Sequence, residues 1–563
     1  MADHQWDVII VGSGAGGGIG AYVLTKAGLR VLLLEAGRAY DPVKETPMFQ
    51  TAENAPLRNA KTPDKPFGFF DATVGGGWDV PGEPYTVAEG SKFKLYRTRM
   101  VGGRTNHWAR MSLRLGPYDF KGRSRDGLGV DWPITYNDLE PWYAKTEELI
   151  GVCGGQEQFE NEPSSTGAQP PPTRRASERL IERVFGSMDI PVASLRAAIL
   201  SQPLGDRPAC LYATPCMRGC AVKANFQSPT ILLEPAVATG KLEIRPDSFV
   251  HQVELGADGR ASGVAYFDRK TGERRVVRAK AVVLAASACE SARILLNSKS
   301  ARFPNGLSND SGQVGRNLTD TVGTVALGTV PALEGQPPRN DDGMSLSHIY
   351  VPWWGHSQQA NKQLDFPRGY HVELFANRTM PDMFMSNMTD FCETPFGLGL
   401  REEMRRKYGS LVVLSGRGEM IPNDDTFCEL DPSVKDRFGI PVLRFHWKWG
   451  EHELRQAAHA GATFREFFKR AGGKILYGGE TDGEKGISTG GEIIHEVGTT
   501  RMGSDAHDSV VNQHGQSWAV RNLFVMDGGV FASNPHKSPT LTILALAWRS
   551  SDHLADQFRK GAL

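Results

Sequence analysis

Two groups of residues in this chain have types and spacing suited to chemistry. The first is Gly12-Ser13-Gly14-Ala15-Gly16-Gly17, which satisfies G-x-G-x-x-G, with Glu35 standing 18 residues after Gly17. Such a loop sets free N–H groups and the positive end of a helix against a pyrophosphate. Gly12 permits the tight turn, Gly14 lets the pyrophosphate approach the backbone, Gly17 lets the helix lie close on the strand, and the acid bonds ribose hydroxyls. The pattern fits FAD or NAD. The second group is Cys210-x5-Cys216-x3-Cys220. Zinc sites use C-x2–4-C with four ligands. Three thiolates suit an iron–sulfur cluster with one corner missing, since standard clusters take four. The alternative is three structural cysteines in a loop.

The elements that must position these residues can be read from periodicity. Val8–Val11 and Val31–Leu34 are apolar runs of the kind buried parallel strands need, joined by a small-residue helix that breaks at Gly28. Residues 38–95, rich in Pro and Gly, read as a long surface excursion. A helix is expected over 135–151, with Pro141 near its start, where proline is best tolerated. A polar, Pro-rich loop follows from Glu160 to Arg175, then a second helix from Ser177 to Phe185. Strands are expected at Leu242–Arg245, Val250–Leu255, Ala261–Asp268 and Arg275–Lys280, then a buried run Ala281–Ala286 and a helix over Ala292–Leu296. Leu443, Phe445, Trp447 and Trp449 alternate with Arg444, His446 and Lys448, as in a half-buried antiparallel strand. A helix from Glu451 to Arg470 should bury Leu454, Ala458, Gly461, Phe464 and Phe468, and Gly472-Gly473 closes it.

Composition narrows the class. At 563 residues the chain can bury a large core in more than one domain. Its 64 Lys and Arg balance 64 Asp and Glu with no basic stripe, which argues against nucleic acid as partner. No run approaches the ~18 apolar residues of a membrane span. The first strand begins within six residues of Met1, which leaves no room for a signal peptide. Seven cysteines, an odd number, do not suggest a disulfide framework. Cys153, Cys289, Cys392 and Cys428 read as small buried hydrophobes.

Four motifs together resemble the glucose-methanol-choline (GMC) flavoprotein oxidoreductases. They are the N-terminal fingerprint, Val101-Gly102-Gly103 with Asn106-His107-Trp108, His495-Glu496-Val497-Gly498-Thr499-Thr500-Arg501-Met502-Gly503, and Asn522–Gly529 followed by Pro539–Ala547. The resemblance spans the chain. It implies an α/β fold in which a Rossmann-type FAD-binding domain carries an inserted antiparallel-sheet substrate domain. Residues 1–329 and 491–563 would form the first, with the excursion 38–95 and a cysteine loop at 207–222, and residues 330–490 the second. It implies FAD rather than NAD, with hydride abstraction from a carbon bearing a hydroxyl. Gly12, Gly14, Ala15, Gly17, Glu35 and Val250 would hold the dinucleotide. Gly102, Gly103, Thr105, Asn106, His107, Asp527, Gly528 and Thr540 would lie along the rest of the cofactor. His107 resembles a histidine that some sugar-oxidising relatives bond covalently to the flavin; a packed histidine beside a non-covalent flavin is the alternative.

By the same resemblance His495 is the active-site base. Relatives keep a His or Asn immediately before P-T-L-T, where this chain has Ser538. His536 is the expected second polar group, with Ser538 and Asn534 as alternatives. The cysteine spacing resembles the catalytic subunit of bacterial cytochrome-linked sugar dehydrogenases, which carry a 3Fe-4S cluster beside the flavin. That implies a cytochrome c-type acceptor and a small subunit bearing the export signal, hence a periplasmic location, with a cytoplasmic one as alternative. Glucoside 3-dehydrogenases, acting at C3 of glucosides and disaccharides, look closest. Glucose, gluconate and fructose dehydrogenases, and an oxidase using oxygen, are the alternatives. Trp353-Trp354 could stack on a sugar but reads first as core. Met380, Met383, Met385 and Met388 read as a loose surface loop or a flexible lid.

Overall fold

The computed structural model describes residues 6–45, 75–165, 167–212, 216, 219–336, 347–376, 389 and 392–563. Strand Trp6–Val11 is fully covered over Val8–Ile10, because it pairs in parallel on both sides, with Val31–Leu34 and with the end of Arg274–Leu284. Leu242–Arg245 extends the sheet beyond Val31–Leu34, and Leu523–Val525 extends it beyond Arg274–Leu284. The strand order therefore reverses at the carboxyl end of Trp6–Val11, where doubly wound sheets bind their ligands. Helix Ala15–Lys26 starts at that point and packs against the closing helix Thr540–Arg559.

The strand expected as Arg275–Lys280 and the run Ala281–Ala286 form one element, Arg274–Leu284. Its charged first half pairs antiparallel with Ala261–Asp268, and its apolar second half enters the parallel sheet. The helix after it begins earlier than expected, at Ala288. Helix Tyr136–Ile150 is bounded by Thr135, whose hydroxyl accepts from the Asp138 N–H, and by Gly151 at φ +77°. Pro141 lies inside that helix rather than in its first turn.

A second sheet has the order Lys474–Gly478, Val322–Thr329, Leu411–Gly418, Tyr370–Phe375, Ile349–Val351, Ala193–Ser194, antiparallel throughout. Two of its members, Val322–Thr329 and Ala193–Ser194, lie outside residues 330–490. Helix Glu451–Arg470 covers one face of this sheet. Its buried stripe is Gln456, Ala457, Ala460, Gly461, Phe464, Phe467 and Phe468; Leu454 and Ala458, expected inside, are only half-buried. Trp353 is core, packed among Trp354, Phe366 and Tyr370.

The alternating segment forms the expected half-buried antiparallel strand, though shorter, as Pro441–His446. It pairs antiparallel with Phe427–Lys435, and it also pairs in parallel with Thr86–Val87, in a small sheet apart from the two large ones. One further expectation needs correction. Residues 75–95 are not an excursion throughout, since Thr86–Val87 joins that small sheet and Phe93 and Leu95 are buried in the main core. The four methionines lie outside the described residues, as do residues 46–74.

Candidate active site

The glycine loop folds as its spacing demands. Gly12 sits at φ +99°, and a Cβ on Gly17 would lie 1.9 Å from the Gly12 carbonyl oxygen, so only glycine lets the helix approach the strand this closely. A Cβ on Gly14, by contrast, would meet nothing within 4 Å, which leaves the open approach a pyrophosphate needs in front of the helix N-terminus at Ala15.

Ser13 ties the expected cofactor segments together. It donates to Glu35 through its N–H (3.1 Å) and hydroxyl (2.5 Å), and its hydroxyl accepts from the Gly102 N–H (2.8 Å). Its carbonyl accepts from the Ser228 hydroxyl (2.8 Å), and Ser228 N–H in turn donates to Thr105 Oγ1 (3.0 Å). Burial raises the Glu35 carboxyl above its usual range, while the Ser13 and Gly37 donors oppose that shift. Val250 is buried on strand Ser248–Leu255, whose first N–H donates to the Glu35 carbonyl.

The other expected cofactor residues line up from this point. Gly102 (φ +96°) and Gly103 (φ +52°) lead the 3-10 turn Gly103–Asn106, with Gly103 close against Gly14. Asn106 is held by its own donation to Val101 O (2.9 Å) and by Gln227 Nε2 (3.4 Å). His107 Nε2 lies 2.6 Å from Thr98 Oγ1, and its ring meets Tyr96 edge-on. Burial, aided by Arg110 and Arg104, drives His107 down to about 3, so the imidazole is neutral. Asp527 accepts from Ser291 Oγ and Gly529 N, and burial pushes it up to about 6. Gly528 opens the turn Gly528–Val530, and Thr540 begins the closing helix.

His495 is fixed from several sides. The buried Asp320 carboxyl group accepts from the N–H groups of His495 (2.9 Å), Ile493 (3.2 Å) and Thr321 (2.9 Å). Thr321 Oγ1 lies 3.0 Å from His495 Nδ1. Next door, Glu496 pairs with Arg104, which also donates to Ile494 O (3.1 Å). Ile494 itself holds φ +67°, a conformation that a β-branched residue adopts only where its surroundings enforce it. Low-polarity surroundings lower His495 to about 3, with the Arg417 guanidinium adding and the Glu373 carboxylate opposing. Burial and then the Glu496 charge raise Asp320 to about 7.

Asn534 Nδ2 donates to the His495 carbonyl (3.3 Å), which brings these two expected residues together. His536 is buried, and burial followed by the neighbouring Lys537 charge holds it well below its usual range. Lys537 anchors the segment through Asp119 (2.9 Å) and Glu162 (3.3 Å). Ser538 is buried too, but among the described residues no hydrogen bond joins it to His495 or His536.

Sequence reasoning missed the opposite wall. Strand Tyr370–Phe375 sends Tyr370, Val372 and Leu374 into the apolar core, so His371 and Glu373 point the other way. His371 lies with its ring 5.8 Å from that of His536. Arg417, its cross-strand partner on Leu411–Gly418, pairs with Glu373 at 3.2 Å. Burial alone would raise Glu373, but Arg417 and His371 draw it down to about 2. The signal was present as polar residues alternating within an apolar strand.

The cysteine loop abuts the segment expected to face the flavin. Cys216 and Cys220 are buried and Cys210 is half-buried. Cys220 N–H donates to Gln227 Oε1 (2.9 Å), and Gln227 is the residue that donates to Asn106. Arg110, fully buried, donates to the carbonyls of Asn106 (2.9 Å) and Trp108; burial lowers it to about 10, and Cys216 and Cys220 lie near it. Cys153 shares an apolar cluster with Cys216, and Cys210 packs against the same cluster. Among the described residues, no three His, Cys, Asp or Glu side chains converge as ligands of a single metal ion.

Two models of the family described as GMC oxidoreductase match the chain, over residues 192–322 and 422–547. The chain belongs to the GMC oxidoreductases. A 2-methyl-1,2-propanediol dehydrogenase of Mycolicibacterium austroafricanum is 28% identical, over 98% of this chain and 96% of the relative. A fructose dehydrogenase large subunit of Gluconobacter japonicus is 28% identical over 99% and 98%. Among solved structures, pyridoxine 4-oxidase from Mesorbium loti superposes with TM-score 0.63 at 18% identity, covering 99% of each chain. A formate oxidase of Aspergillus oryzae RIB40 does so with TM-score 0.66 at 14% identity, covering all of both. As a GMC oxidoreductase the protein is an FAD-dependent enzyme that oxidises CH–OH groups of alcohols or sugars. Among the described residues, no helix is long and apolar enough to cross a membrane.

Proposed function

We propose that this GMC oxidoreductase is a dehydrogenase of sugar or glucoside hydroxyls, with C3 of glucosides and disaccharides as the site of oxidation. One observation carries the hydroxyl-rich substrate. Around His495, the Oδ1 of Asn534, the Nδ1 of His536 and both ring nitrogens of His371 are buried without a hydrogen-bond partner among the described residues. Buried polar atoms are almost always paired. A ligand with several hydroxyls satisfies such a set, and a hydrocarbon alcohol does not.

The geometry supports the following roles. Bound FAD supplies the hydride acceptor. His495, neutral in these surroundings, takes the hydroxyl proton at Nε2 while Nδ1 is engaged with Thr321. The Glu373 carboxylate then stabilises the imidazolium that proton uptake creates. His536 is the second polar group at the reacting hydroxyl, and Asn534 orients the His495 backbone. The relatives named for sugar and polyol oxidation support the substrate class. A gluconate 2-dehydrogenase flavoprotein of Pantoea cypripedii, 24% identical over 98% of this chain, points the same way.

In this reading Cys210, Cys216 and Cys220 hold a 3Fe-4S cluster, which would supply one-electron exit to a cytochrome c-type acceptor. The donor chemistry suits it: the three cysteines lie on one short loop, and two of them, Cys216 and Cys220, lie near the buried Arg110. A small subunit would carry the export signal, which makes the enzyme periplasmic. Anaerobic mixing with glucose, methyl glucoside and a disaccharide tests the core of the proposal. Bleaching of the flavin absorbance and a 3-keto product by NMR are expected, and no bleaching by any sugar would overturn it. Iron in stoichiometric amount, lost in Cys220→Ser, is expected for the cluster. Iron-free protein that makes peroxide in step with sugar consumption would instead make it an oxidase.

A further inference from the structure

We propose that His371 is a specificity-determining residue that reads a second hydroxyl of the substrate, next to the one that is oxidised. The proposal rests on the hydroxyl-oxidising site around His495 and His536 described above.

The strand places this histidine where a bland role does not account for it. Strand alternation turns His371 away from the apolar core that takes Tyr370 and Val372. Its side chain is nevertheless fully buried, and among the described residues neither ring nitrogen has a hydrogen-bond partner. The nearest carboxylate oxygen, on Glu373, stands 3.7 Å from Nε2, beyond hydrogen-bonding distance. Arg417, opposite His371 across the strands, is committed to that same Glu373. Around the ring are other rings rather than acceptors, His536 at 5.8 Å and the edge of Tyr350 at 6.2 Å. Glu373 is close enough for its charge to be felt by the ring but too far to take up the Nε2 hydrogen bond. A buried imidazole whose nitrogens make no hydrogen bond is an exception among folded proteins that a ligand explains most simply.

The chemistry of that ligand follows from the ring. A neutral imidazole offers one donor and one acceptor. A hydroxyl offers both in return, whereas a hydrocarbon offers neither. His371 lies on a strand of the second sheet and His536 in the loop that leads into helix Thr540–Arg559, with their rings 5.8 Å apart, so the two rings face neighbouring positions of one small molecule. A vicinal diol, as found around a pyranose ring, fits this pair. The relation is one of binding and discrimination, since among the described residues His371 makes no hydrogen bond to His495 through which it could take or give the proton.

The test uses the FAD-loaded enzyme and a series of monodeoxy methyl glucosides. His371→Ala should lower kcat/KM for the parent glucoside by about 10- to 100-fold, as expected for loss of a buried polar contact to a substrate hydroxyl. Wild type should reject one of the monodeoxy sugars by a similar factor, and His371→Ala should not discriminate against that sugar further. His371→Gln, which keeps a donor and an acceptor, should recover part of the preference, and it carries the test if the alanine variant fails to retain flavin. An equal loss on every sugar in the series, or no loss on any, overturns the proposal. If wild type bleaches with no sugar at all, the sugar reading fails instead. The same comparison then runs with 1,2-propanediol against 1-propanol, where His371→Ala must abolish the preference for the diol. A preference that survives overturns the role of His371.

Discussion

The contact between Thr321 Oγ1 and His495 Nδ1 makes a sharp prediction, because its loss can be separated from loss of the base itself. At 3.0 Å it is the only side-chain hydrogen bond to the imidazole among the described residues, and Thr321 is itself buried. With Nδ1–H donating to Thr321, the lone pair at Nε2 is left to face the substrate. Thr321→Val keeps the shape and removes the acceptor. A net hydrogen bond is worth about 1 kcal/mol and an unpaired buried donor costs about 1–3 kcal/mol. The rate of flavin reduction should therefore fall about 5- to 150-fold, at about 1.4 kcal/mol per tenfold. His495→Ala should cost more, on the order of 10²–10⁴-fold. Anaerobic stopped-flow reduction at saturating substrate reads the rate, and the substrate dependence reads binding. Thr321→Ser should stay within a few-fold of wild type, a control based on its retained hydroxyl. If Val and Ser behave alike, or if Val alters only KM, the Nδ1 contact does not set the working tautomer.

Asp320 is raised to about 7, so the folded state holds a proton that the unfolded chain has released. Its contribution is fully present below about pH 4 and lost as pH rises to about 7; Asp320→Asn should therefore flatten the fall in melting temperature between about pH 4 and about pH 7, and an unchanged slope would count against the buried proton. Gly17→Ala puts a Cβ 1.9 Å from Gly12 O, and the strain, about 1–3 kcal/mol, should appear as FAD lost on gel filtration; full flavin retention would contradict the close-packing role. Arg114 and Glu147 form a fully buried ion pair at 2.7 Å. Arg114→Met should cost about 3–5 kcal/mol in denaturant unfolding, and adding Glu147→Met should recover much of it; equal single and double variants would show that the pair is not coupled.

Much of the fold was legible because its signals are local. The turn at Gly12, the caps at Thr135 and Gly151 and the ends of Glu451–Arg470 are each written within a few residues. What failed was non-local. Arg274–Leu284 was divided at Lys280 because its two halves pair with different partners, one an exposed antiparallel neighbour and one a buried parallel strand. Pro441–His446 is the antiparallel strand its alternation suggests, paired with Phe427–Lys435, but nothing near it in sequence announces that Thr86–Val87 will lie beside it. Its Leu443 and Phe445 serve the main core, not that of the second sheet.

The candidate site divides along the same line. His495 stands in a contiguous motif, and so could be named from sequence; the groups that set its properties could not. Asp320 and Thr321 precede one strand, Glu373 and His371 lie on a second, and Arg417 lies on a third. Only the antiparallel order of the second sheet brings those three strands to one face. A polar residue within a buried strand is costly to keep unless something pairs with it. His371 and Glu373, alternating with Tyr370, Val372 and Leu374, were therefore a sign that this strand has a chemical task on its second face, although pattern alone could not say what it would meet there. The Ile494 backbone makes the converse point. Its left-handed conformation is invisible in an ordinary-looking Ile-Ile-His sequence, yet Asp320 and Arg104 both bond the backbone around it. The strain is held by groups from elsewhere in the chain, and it delivers His495 to the face where His371 waits.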